Sequence, residues 1–156
     1  MGFNIAGIVA KDSFKTIQSI ELFFDCSLKY TEDVDFDQAS SAFKEEKTID
    51  LLTTEHGTLI FVELGQMYDL SSSKGEIIQF IISEVSDTYY FEKFNDGILE
   101  RKHISSQGEI VENIGSGIIN EDEYLPDLIW EFADEYLKNN FSKNLFDLSF
   151  KRYQML

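Results

Sequence analysis

The sequence predicts an α+β fold, a mostly antiparallel meander sheet of roughly six to eight strands packed against two main helices. Short β-rich runs between residues 77 and 114 are separated only by turn-forming residues. An apolar stripe at helical spacing runs from Leu125 to Leu137. A composition of 43% hydrophobic and 14% aromatic residues supplies a core, and one Pro and nine Gly leave little room for linkers. The 156 residues are therefore read as one domain, 1–156.

Residues 3–10 are apolar and rich in Ile and Val, as a buried strand requires. Asp12 or Ser13 is placed to cap a following helix whose face carries Phe14, Ile17, Ile20 and Phe24. A short strand is expected over 27–31, then an acidic solvated loop from Glu32 to Asp37 and a helical turn over 38–46. Runs 48–54 and 58–64 flank Glu55-His56-Gly57, a hairpin connection with Gly57 available for positive φ. Gly65, Ser71, Ser72, Ser73 and Gly75 mark a loop over 65–75.

Four further strands follow at 77–84, 88–94, 98–104 and 109–114. Their connections (Ser86-Asp87, Asn95-Asp96-Gly97, Ser105-Ser106-Gln107-Gly108) are too short for parallel crossovers. The second helix is expected over 125–139, with Pro126 tolerated in its first turn. Phe146, Leu148 and Phe150 alternate with Asp147, Ser149 and Lys151, the period of a half-buried final strand.

Thirteen Lys+Arg against 29 Asp+Glu give a formal net charge of −16. A field of that sign repels phosphate backbones and anionic lipids, so nucleic-acid and membrane partners are not expected; it serves either solubility alone or fast association with a basic protein. The single Cys26 forms no internal disulfide, and no apolar run approaches a bilayer's width. A cytoplasmic location is the expectation.

No motif in the chain survives a spacing test for catalysis, metal or cofactor. Asp33, Asp35 and Asp37 open like a calcium loop, but Gln38 stands where Gly is needed and Lys44 where a bidentate Glu belongs. Gly115-Ser-Gly117-Ile-Ile-Asn120 lacks the third glycine of a dinucleotide fingerprint and follows a meander. His56 falls in a turn and His103 in a strand, with no nucleophile elbow or zinc helix beside them. Cys26 is read as a small packing residue. No cofactor and no catalytic residue are assigned.

Two acidic clusters remain. Glu121-Asp122-Glu123 precedes a helix, whose dipole favours it. Glu32, Asp33, Asp35 and Asp37 have no such support in a loop, and are the candidate partner-binding residues.

An acidic chain of this size, with hairpins, helices, no catalytic motif and the surface carboxylates Glu32, Asp33, Asp35 and Asp37, resembles the immunity proteins of bacterial polymorphic-toxin systems. The segment Gly97-Ile-Leu-Glu-Arg101, Gly108-Glu, Gly115-Ser-Gly117 and Glu121 is similar to a strand-turn segment of uncharacterised bacterial proteins. The resemblance implies a non-catalytic protein that neutralises a basic toxin. The alternatives are a small enzyme or ligand-binding protein with Glu63, Glu84, Arg101 or His103 converging from neighbouring strands, and a homo-oligomer pairing through an edge strand such as the last.

Overall fold

A strand buried on both faces needs continuous apolar sequence, and Asn4–Lys11 supplies it as β1, with its six inner residues buried. The computed structural model describes residues 3–115 and 124–156. In chain order the elements are β1, α1 (Ile17–Phe24), β2 (Leu28–Val34), α2 (Phe36–Ala39), β3 (Thr48–Thr53) and β4 (Gly57–Val62). Then come β5 (Glu76–Ser83), β6 (Thr88–Asn95), β7 (Ile98–Ser106), β8 (Glu109–Ile114), α3 (Leu125–Leu137) and β9 (Phe150–Met155).

Among the described residues the strands form one nine-stranded sheet in the order β2-β9-β3-β4-β1-β5-β6-β7-β8, every pair antiparallel. The α+β class and the β5–β8 meander agree with the sequence reading, while the strand count exceeds six to eight.

Alternation along the central strands divides the core in two. Ile5, Val9, Leu59, Phe61, Ile78, Phe80 and Phe91 meet Ile129, Trp130, Ala133 and Tyr136 of α3. Ile8, Ile49, Ile60 and Ile77 face the opposite way, toward Phe14, Ile20 and Leu70 on the α1 side. The central strands are thus covered on both faces.

Four local expectations change. α1 starts later than predicted: Thr16 caps it, its hydroxyl accepting from Ser19 N while Ser19 reaches back to Thr16 N. Phe14 stands outside the helix at φ 59°, where its carbonyl accepts from buried Thr58 Oγ1 at 2.8 Å. Gly57 has no positive φ; a Cβ there would lie 2.6 Å from Ala10 O and 2.7 Å from Tyr136 O, so glycine lets α3 approach the hairpin. The final strand begins at Phe150, because two 3-10 turns over Phe141–Lys143 and Leu145–Asp147 take the preceding residues and leave Phe146 exposed.

That strand is also interior. β9 pairs with β2 on one side and β3 on the other, so it offers no edge for oligomer pairing. Among the described residues, no helix is long and apolar enough to cross a membrane.

Candidate functional site

Glu32 and Asp33 do not lie in a loop. β2 runs through them to Val34, and Asp35 then caps α2, accepting from Gln38 N at 2.8 Å. The turn expected over 38–46 is replaced by this one-turn helix, which Phe36 pins to the core. Its ring lies 5.9 Å from Trp130 and 6.2 Å from both Phe61 and Phe141. The acidic stretch is therefore an edge strand plus a capped turn, which explains much of its composition. Asp33 accepts from Tyr30 Oη at 2.7 Å, Glu32 faces Arg152, and Asp37 occupies the first turn of α2. All four carboxylates are exposed.

The register shows what stands behind them. Glu32 is paired with Arg152, Arg152 with Asp50, and Asp50 with Phe61, so these side chains share the α3 face of the sheet. Asp50 is fully buried. Arg152 donates to it through Nε at 2.8 Å and Nη2 at 3.0 Å, a bidentate clamp. Lys44 Nζ donates to the same carboxylate and to Ala39 O at 2.9 Å, with its side chain only 3% exposed. Arg152 Nη1 then reaches Glu32 at 3.8 Å. Charge alternates outward from the core: Lys44, Asp50, Arg152, Glu32.

Burial pulls the Lys44 amine below its ordinary value, and the hydrogen bond and charge of Asp50 oppose that pull. The Arg152 guanidinium is held further up, chiefly by its hydrogen bond to Asp50.

This buried cluster fixes the segment joining α2 to β3. Lys44 anchors its middle, and Lys47 N donates to the Glu63 carboxylate at its end. Immediately before Lys44, Phe43 is 95% exposed. A ring so placed contributes little to the packed core and leaves its apolar face open to a partner. Phe43, Glu32, Glu45, Thr31, Thr48 and Arg152 line a shallow polar recess of about 300 Å³.

Of the four candidate carboxylates only Glu32 lines this recess; Phe43, Glu45 and Arg152, and the Lys44 and Asp50 that stand behind them, were not singled out in sequence. One signal was present: Asp50 stands alone among Ile49, Leu51 and Leu52, and a buried carboxylate demands cationic partners.

The residues proposed for a site assembled on the sheet are not brought together. Glu63 is occupied with Lys47 N. Glu84 accepts from Phe3 N at 2.5 Å and from the Tyr124 hydroxyl. Arg101 is buried and donates to Ile114 O at 2.7 Å. His103 lies on the same strand face two residues on; burial, then the Arg101 charge, lowers its imidazole below the ordinary value, against a hydrogen bond with Asn113. Burial, with Glu21 and Asp25, raises the half-buried Cys26 thiol, the wrong direction for a nucleophile.

Among the described residues, no group of three or more His, Cys, Asp and Glu is placed to hold a metal. Residues 116–123, which contain most of the Gly-Ser-Gly run and all of Glu121-Asp122-Glu123, lie outside the described residues. A larger groove of about 570 Å³ lies beside α1, lined by Phe14, Phe23 and Leu22 together with Ser13, Thr16 and Lys74.

No known protein family, curated protein or solved structure matches the chain.

Proposed function

We propose that the chain is a non-catalytic binding protein that docks and neutralises a basic protein, in the manner of the immunity proteins its sequence resembles. The observation that carries this reading is Phe43, held in solvent between Glu32 and Glu45 by the buried Lys44–Asp50 pair. An exposed aromatic ring sharing a recess with Glu32 and Glu45 suits a cationic surface: the ring supplies apolar area and a π-face, and the acids supply attraction. The net charge of −16 speeds the encounter, and contacts at the recess set the lifetime.

The test is affinity capture from the source cell with wild type, Phe43→Ala and the double variant Glu32→Gln/Glu45→Gln. A basic protein held by wild type at low salt and lost by both variants supports the reading. The same proteins on all three baits, or none on any, count against it.

A second reading is a small-ligand protein. The groove beside α1 favours it, having the size of ordinary ligand pockets and a mixed apolar and hydroxyl lining. A thermal-shift screen with wild type and Phe23→Ala separates this reading, because a ligand seated there loses its stabilising effect in the variant.

A further inference from the structure

The geometry points to a particular mode of docking: an extended basic segment of the partner adds as a further strand to the free edge of β2. This inference rests on the basic-partner reading above and adds to it the backbone that does the binding.

Among the described residues, β2 is the last strand on its side of the sheet and pairs only with β9. Its residues Lys29 to Asp33 are all exposed, so among the described residues nothing covers this edge. Leu28 N already donates to Glu21 Oε2 at 2.7 Å and Val34 is buried, so the open stretch is Lys29–Asp33, about 16 Å of strand at roughly 3.3 Å per residue, enough for a short ladder.

The side chains of the edge select what pairs with it. Glu32 projects on the α3 face, in line with Arg152 and beside the recess with Phe43 and Glu45. Tyr30 packs on Tyr153, on the α1 face, with ring centroids 5.8 Å apart. Asp33 lies on that same side, accepting from Tyr30 Oη. A strand laid against β2 alternates its side chains between these faces. A Lys or Arg opposite Glu32 reaches into the recess, its stem along Phe43 and its head between Glu32 and Glu45. The next residue of the added strand faces Tyr30 and Asp33. Main-chain bonds supply affinity in this mode, and the alternate pockets supply specificity.

A second copy of this chain is the poorer occupant. Lys29 is the one basic residue from Leu28 to Asp37, against Glu32, Asp33, Asp35 and Asp37, and each copy carries −16.

The experiment uses the full chain and two short synthetic peptides. One alternates lysine and threonine; the other has the same residues with every backbone amide N-methylated, keeping the charge and removing the donors. Titration calorimetry at low salt reads affinity, and hydrogen exchange reads which amides the peptide protects. Strand addition predicts that the unmodified peptide binds about tenfold or more tighter than its methylated twin. It also predicts protection confined to Lys29–Asp33.

Equal binding of the two peptides overturns strand addition while leaving charge-driven docking intact. Protection at Glu109–Ile114, the outermost strand at the other end of the described sheet, overturns it too, as does a chain that already dimerises through β2. Binding of neither peptide removes an extended basic segment as the occupant. The capture experiment with Phe43→Ala still decides the broader reading by itself.

Discussion

Arg152 grips both oxygens of the buried Asp50 carboxylate, through Nε at 2.8 Å and Nη2 at 3.0 Å, across directly paired positions of β9 and β3. With Lys44 on the same carboxylate, the site holds two cations on one fully buried anion. Asp50→Ala leaves both cations without their partner and costs about 3–5 kcal/mol, the usual penalty for an unpaired buried charge. Urea unfolding measures it, and a loss below about 1 kcal/mol contradicts the structural role given to this carboxylate. Lys44→Met costs less, because Arg152 still satisfies Asp50.

Gly57 carries a second prediction. The Cβ of Gly57→Ala meets backbone carbonyls on two sides, Ala10 O at 2.6 Å and Tyr136 O at 2.7 Å. Neither is the end of a flexible side chain, so α3 must shift away from the hairpin. The expected loss is at least about 2 kcal/mol, read as a lower midpoint in thermal or urea unfolding. The link between Thr54 Oγ1 and Leu137 O, 2.8 Å long, weakens with it. An unchanged midpoint contradicts this account of the glycine.

Tyr136 is 1% exposed, and its hydroxyl has no hydrogen-bond partner among the described residues. Removing a buried, unpaired hydroxyl is favourable, so Tyr136→Phe gains up to about 1 kcal/mol near neutral pH. The same group sets a pH dependence. Burial above all, then the charges of Glu76, Glu135 and Glu100, hold the phenol well above its ordinary 10.0. Above that value the unfolded chain gives up the proton and the folded chain keeps it. The contribution of this phenol is therefore level below about pH 9 and turns unfavourable as pH rises past 10. Tyr90 and Tyr124, raised likewise, add to the fall. Denaturation midpoints from pH 8 to 11 check this, and a shallower alkaline fall is expected for Tyr136→Phe.

Phe43 behaves differently. With its ring in solvent, Phe43→Ala changes stability by no more than about 0.5 kcal/mol. A large destabilisation, measured by the same unfolding curves, contradicts a ring held out for binding.

The sequence carried the meander and α3 plainly, because turn chemistry and apolar spacing are local. Gly97 and Gly108, both at positive φ, close the turns their dipeptides announce. What it could not carry was pairing between distant segments. β9 slips between β2 and β3 although some hundred residues separate β3 from β9, and no periodicity encodes that insertion. The site shows the same division. Glu32, Asp33, Asp35 and Asp37 stand out in sequence as a charge run, yet Asp35 is a cap and Asp33 is bound by Tyr30. Phe43 and Glu45 carry no local mark. They matter because Lys44, between them, reaches a carboxylate whose other partner comes from the last strand.

The most direct test of the central claim places a photo-crosslinking amino acid at position 43 and, as a control, at Val85, an equally exposed apolar position. Irradiation in the source cell is followed by mass spectrometry of the adducts. Docking at the acidic end predicts a basic protein joined through position 43, absent from position 85, and lost when Glu32→Gln/Glu45→Gln is added. The same adducts from both positions, or none through position 43, contradict it.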